Sequence, residues 1–190
     1  MQSPVDELPI AIKGLIEAPT ADDQRAALQR YFSPDASFDH SLCAVAAGPS
    51  SRDNGVLSIY QWLRIISTSS IRIDSVAFDQ RKNRAYVDAA QTLRPTLFPV
   101  SLYQPTLRIV VLLHLHKGAD GLFYIHRQED FYAPQVLPGQ LVPGLHTVIL
   151  TVKLIVGIQC FILAWLVQTF LGYWKPSARG IKGGKVASRR

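Results

Sequence analysis

Cysteine is nearly absent. Cys43 and Cys160 are the only two in 190 residues, and they lie far apart, with Cys160 inside an apolar run. That excludes a disulfide framework and suits a reducing compartment. A basic amino-terminal region followed by an apolar run is also missing. The opening "MQSPVDELPIAIKGLIEAPTADD" is acidic and punctuated by proline, so neither a secretory signal nor a transit peptide is expected. The chain has no internal repeat, no glycine-rich phosphate loop, no Cys/His set with structural-zinc spacing and no Gly-x-Ser-x-Gly elbow. No metal and no cofactor are therefore expected.

Charge is missing where it matters most. Between Lys153 and Lys175 lie 21 uncharged residues, and from Lys175 to Arg190 there are six bases and no acid. Residues 1 to 174 carry 14 bases and 14 acids, so the net charge of +6 belongs to the tail. The body has no basic stripe with interleaved aromatics, which argues against nucleic acid as a partner.

As a helix, the uncharged run is about 31 Å long, against a bilayer core of ~30 Å. Tyr173 and Trp174 stand at its end, where aromatic rings favour the interface. The expectation is a membrane-spanning or membrane-embedded helix over 153–174. The basic tail at 175–190 favours a cytosolic carboxyl end by the positive-inside tendency. A short tail is nevertheless easier to translocate than a folded domain. Two arrangements stay open. One is a tail anchor with the domain in the cytosol. The other is a monotopic form in which the Pro/Gly-containing apolar segment 134–152 lies in the interface. The cytosolic face of the endoplasmic reticulum or a lipid droplet suits either.

The body, residues 1–133, reads as helices followed by strands. "SPVDELPIAIKGLI" predicts a helix with Ser3 as cap and Pro9 as a possible divider, and "TADDQRAALQRYF" a second. "ASFDHSLCAVA" is a short extended run. "SSRDNGVLSIYQWLRIISTS" places Val56, Ile59, Tyr60, Leu63 and Ile66 on one helical face. From Ser70 the period falls to two, through "IRIDSVAFD", "AYVDAAQTL", "TLRIVVLLHLH" and "LFYIHRQEDFY", with Asn83 suited to a left-handed turn position. This order predicts an α+β domain with its helices on one face of an antiparallel sheet.

"LQRYFSPDASFDH" and "DGLFYIHRQEDFY" bring a family into view. The first resembles the helix-to-first-strand junction of the nuclear transport factor two-like fold, and the second resembles its last strand. The run "QEDFY", followed by a Pro-Gly-rich apolar region and a membrane segment, resembles fungal SigF-like proteins of this class. The resemblance implies a cone of three amino-terminal helices on a curved antiparallel sheet (a cystatin-like architecture) with an apolar pocket. It also implies relatives among ketosteroid isomerases, scytalone dehydratases and SnoaL-like cyclases, besides non-catalytic binding modules. The enzymes need an acid or base whose pKa an apolar pocket shifts, without metal or cofactor.

Candidate residues follow from strand parity. His114 and His116 share a face with Arg108, Val110 and Leu112; proton transfer competes there with an ordinary solvated face, and no third metal ligand is visible. Alternation puts Tyr124, His126, Gln128, Asp130 and Tyr132 together, so His126 and Asp130 are candidates for a base and its orienting carboxylate. Tyr86 and Asp88 are pocket groups or cross-strand partners of Arg108 or Arg127. Asp39 and His40 are adjacent, so at most one enters the pocket. Tyr31 and Trp62 belong to the core or line the pocket. Phe98 and Leu102, in the proline-bounded loop "RPTLFPVSLYQP", cover the domain, close the pocket or dip into the membrane.

Two functions are expected. The first is a membrane-anchored module that binds a hydrophobic small molecule and converts it by proton transfer, as isomerase, cyclase or dehydratase. His126, Asp130, His114 and Asp88 are its candidate catalytic residues, and Tyr31, Trp62, Tyr86 and Phe98 its ligand contacts. The second is a non-catalytic scaffold that forms a homodimer through the sheet and recruits partners to the membrane.

Overall fold

The computed structural model of the chain describes residues 1–96, 104–132 and 144–173. Phe98, Leu102 and their loop, the segment 133–143 and the basic tail lie outside the described residues.

Helix α1 spans Pro4–Ile16 without a break at Pro9. Glu7 accepts the backbone N–H groups of Gln2 and Ser3, which satisfies donors that precede the first turn. Helix α2 spans Ala21–Tyr31. Its cap is reciprocal: the Thr20 hydroxyl accepts the Asp23 N–H at 3.1 Å and donates to the Asp23 carboxylate at 2.6 Å. Helix α3, Leu57–Ile66, is entered through a wide π-type turn over Arg52–Val56. Arg52 donates to the Phe32 carbonyl and Ser51 to that of Ala36, so the turn is fastened to the first strand.

Among the described residues six strands form one sheet: β1 (Phe32–His40), β2 (Cys43–Val45), β3 (Ser67–Asp79), β4 (Arg84–Pro95), β5 (Thr106–Lys117) and β6 (Phe123–Tyr132). Their spatial order is β2-β1-β6-β5-β4-β3. All neighbours are antiparallel except β1 and β6, which run parallel, so the sheet is mixed rather than purely antiparallel. Two strands also start earlier than their composition suggests. β1 begins at Phe32 and tolerates Pro34 because its pairing with β6 is irregular between Phe32 and Ser37. β3 begins at Ser67, where buried Ser67 and Ser69 bond each other through their hydroxyls.

Two bulges bend the sheet. In β3, Ile73 pairs with Ala89 and Ser75 with Asp88, which leaves Asp74 as the extra residue. In β6, Ile125 pairs with Leu115 and Arg127 with His114, which leaves His126. The helices pack on the concave face. Leu8 and Leu15 of α1, Leu28 of α2, Phe32, Leu113 and Ile125 are all at most 1% exposed at the centre of that core. Ala85, Val87 and Ala89 leave room on β4 for the helices to approach.

The last helix, α4, spans Leu145–Phe170 and starts eight residues before Lys153. It is apolar on every side, and none of its side chains is buried in the domain. The turn between β3 and β4 is held by Asn83 in the left-handed region, φ 51°. Asn83→Val should cost about 1–2 kcal/mol and Asn83→Gly almost nothing, measured by chemical unfolding of the full chain in detergent.

Candidate functional site

The bulge at His126 reverses the parity of β6. Upstream of it Ile125 points into the core; downstream Gln128, Asp130 and Tyr132 do, opposite Leu113, Val111 and Ile109. The parallel neighbour β1 adds Phe38 beside Gln128 and His40 beside Asp130. Helix α3 adds Tyr60 from above. These residues form a polar group on the concave face, apart from the buried Ser67, Ser69 and Gln91 of β3 and β4.

Its bonds run in one direction. The Tyr60 hydroxyl donates to Gln128 Oε1 at 2.9 Å, and Gln128 Nε2 donates to Asp130 Oδ1 at 2.8 Å. The tyrosine therefore fixes the amide so that its NH2 faces the carboxylate. Phe38 packs edge-on against Tyr60, and His40 edge-on against Tyr132, with ring centroids 6.0 and 5.0 Å apart. The backbone N–H of Leu42 donates to His40 Nδ1, which leaves the imidazole proton on Nε2.

Among the described residues no Lys or Arg forms an ion pair with Asp130. Asp130 is half-buried and closely surrounded. Burial pushes its carboxyl up to about 7, with a contribution from the Asp39 charge; the Gln128 bond opposes the shift without cancelling it. Burial raises Tyr60 and Tyr132 well above the usual phenol range, and the Asp130 charge adds to both. Burial lowers His40, so it stays neutral. Around neutral pH the group thus presents one carboxyl poised between its two states, two protonated phenols and a neutral imidazole. That combination can accept a proton from one atom and return it to another.

A family model described as "SigF NTF2-like domain" matches residues 1–173. The chain belongs to the SigF NTF2-like family. The match runs through α4 as well as the domain. Solved structures share the fold. One is a hypothetical protein with a ketosteroid isomerase-like fold from Catenulispora acidiphila, in complex with trimethylamine. It is 12% identical, with TM-score 0.55 over 73% of this chain and 95% of that one. A putative polyketide cyclase from Xanthomonas campestris is 16% identical, with TM-score 0.54 over 74% and 100%. An LEH-like epoxide hydrolase from M. tuberculosis is 10% identical, with TM-score 0.51 over 78% and 99%. No curated protein matches the sequence.

Within this SigF NTF2-like fold the expected residues divide. Asp130 lies in the concave group, whereas His126 lies on the opposite face of the sheet, so they are not a base and its carboxylate. The extra residue in β6 separates them. His126 instead joins His114 and His116 on the outer face, with ring centroids 5.9 and 5.5 Å away. Burial and these two neighbours lower its pKa. His114 is bonded to Glu129 at 2.7 Å. Asp88 is the cross-strand partner of Arg108 at 2.6 Å, and Tyr86 shares that outer face, so neither is a pocket group. Trp62 is 60% exposed and belongs neither to the core nor to the concave group, because it lies off the apolar face of α3. Tyr31 is core, 4% exposed. Of Asp39 and His40, His40 turns inward and Asp39 outward, 3.9 Å from Arg127. Tyr60, Gln128 and Tyr132 join the group without having been singled out. The apolar helical spacing of Tyr60 made it look like simple core, whereas alternation already placed Gln128 and Tyr132 on the face of Asp130.

Two clefts lie elsewhere. One of about 360 Å3 runs between Ala18–Ala21 and Arg64–Ile65, and one of about 580 Å3 lies beside Gln2–Val5 and Asn83. Neither includes a residue of the Asp130 group. Among the described residues no set of three or more His, Cys, Asp or Glu has a metal-holding arrangement.

The carboxyl makes stability depend on pH with a defined sign. Unfolded, Asp130 loses its proton near 4; folded, it keeps it up to about 7. The folded chain binds more protons in that window, so stability falls as pH rises from about 4 to about 7. The contribution is at most on the order of 4 kcal/mol. Asp130→Asn should flatten this part of the Tm–pH profile and raise Tm at pH 8.

Proposed function

We propose that this chain is a membrane-anchored member of the SigF NTF2-like family that binds a hydrophobic carbonyl compound on its concave face and moves a proton on it. The observation that carries the reading is the Tyr60–Gln128–Asp130 sequence of bonds, ending in a carboxyl near 7. Asp130 takes a proton from a C–H beside the carbonyl and returns it at a second atom. The Tyr132 phenol and His40 Nε2–H are the donors available to the oxygen that gains charge. The reaction is an isomerisation, cyclisation or dehydration. His126, His114 and Asp88 take no part in it, and Phe98 keeps its candidacy as a ligand contact.

In this reading α4 is the anchor. Its described length, 26 residues, is about 39 Å, enough to cross a bilayer with tilt. The domain stays in the cytosol and the tail crosses. A glycosylation acceptor fused after Arg190 should then be modified in microsomes, and an unmodified acceptor would favour the monotopic form.

Mass spectrometry of small molecules extracted from the detergent-purified full chain should find an apolar carbonyl compound. Asp130→Asn should retain that compound and lose turnover by at least about 100-fold. A wild-type chain that carries no such molecule would move the assignment to the scaffold. One observation favours that second reading: Tyr86, Val110 and Phe131 lie 38–52% exposed on the outer sheet face, a surface suited to a homodimer.

A further inference from the structure

The strand registers gather six chain segments at one end of the sheet. β1 and β6 finish there, at His40 and Tyr132, and β4 finishes there at Pro95. β3 and β5 begin there, and α3 ends there at Ile66. The two ends of the domain differ in chemistry. The far end has tight turns with Asp79, Arg81, Lys82 and Arg84 in one and Lys117 and Asp120 in the other. The near end exposes Leu42 in the β1–β2 turn (65%), and Trp62 (60%) and Ile65 (65%) in the last turns of α3. Leu42 stands at the β1–β2 edge and Trp62 and Ile65 towards β3, so the three span this end of the sheet, opposite a charged end. Charges of both signs lie at this end, and the α1–α2 turn beside Ile65 adds exposed Glu17, Asp22 and Asp23. Arg94 is exposed, Arg64 donates to the Ala18 carbonyl, Asp39 lies near Arg127, and Asp130 points inward.

This is also the end from which the chain departs for α4. Residues 133–143, uncharged in sequence, join Tyr132 to Gly144. Twelve Cα steps reach at most about 40 Å. Whatever bilayer holds α4 therefore keeps this end of the sheet within about 40 Å of the start of that helix. The tether raises the local concentration of the two surfaces, so that weak apolar contacts suffice. A tryptophan beside aliphatic side chains suits the boundary between headgroups and acyl chains.

We propose that this end of the domain, through Leu42, Trp62 and Ile65, docks on the bilayer that holds α4, so that the concave face around Asp130 takes its ligand from the lipid phase. The inference rests on the membrane-anchored reading above. It adds an orientation and a source for the ligand.

Spin labels distinguish the two. The full chain, with Cys43→Ser and Cys160→Ser, receives one label at a time through Ile65→Cys, Leu42→Cys, Lys82→Cys or Phe161→Cys. Each is placed in phosphatidylcholine vesicles and tested for collision with oxygen and with a water-soluble nickel chelate. Labels at 65 and 42 should favour oxygen over nickel several-fold more than the label at 82. If 161 is in lipid while 65 and 42 match 82 in water, docking is overturned and the anchor stands. If 161 is itself in water, the anchor falls and docking with it. If 65 and 42 are shielded from both reagents and show spin–spin broadening, a second copy covers this end, and bilayer docking is again overturned.

Discussion

One extra residue in β6 governs what the concave face can do. A strand that alternated without interruption would carry Ile125 and Asp130 to opposite faces. The bulge at His126 lets Ile125 fill the core and still brings Gln128, Asp130 and Tyr132 inward. The same insertion adds curvature where β6 meets its parallel neighbour β1. Shape and chemistry therefore share a cause. The bend that lets three helices sit on the sheet also turns a carboxylate toward them.

Turning that carboxylate inward has a cost, and the surroundings show how it is met. No cation accompanies Asp130 among the described residues; a neutral amide does, held in place by a buried phenol. A neutral partner orients the carboxyl without forcing it to ionise, so burial sets its proton affinity. A salt bridge such as Arg108–Asp88 on the outer face does the reverse: the arginine bond holds Asp88 below the usual carboxylate range. The two faces of one sheet thus carry carboxylates tuned in opposite directions. The inward one is suited to moving protons, and the outward one to fixing strand neighbours.

The order of elements was legible because it depends on local chemistry. Thr20, Pro19 and the acidic first turn mark α2, and the alternation in "AYVDAAQTL" marks β4. Asn83 occupies the left-handed position its residue type suits. The site was legible only in part. Asp130 stood out as an acid in an aromatic strand, and adjacency alone required that Asp39 and His40 part company. Parity misplaced His126 because a bulge leaves no mark in the residue types around it. Tyr60 was hidden because its ring is core while its hydroxyl is not. Trp62 misled because a large aromatic in a helix suggests burial, and its position off the apolar face sends it outward.

By itself the sequence determined the α+β order, the neutral body with its basic tail, and a 21-residue stretch with no charge at all. These follow from composition and from periods of two and 3.6, which a chain carries wherever it folds. Only the tertiary structure decided which face each polar residue enters and which end of the sheet the chain leaves from. It alone turned Asp130 inward and His126 and Asp88 outward. Pairing between strands distant in sequence sets those outcomes, and one unpaired residue in such a ladder inverts every side chain beyond it.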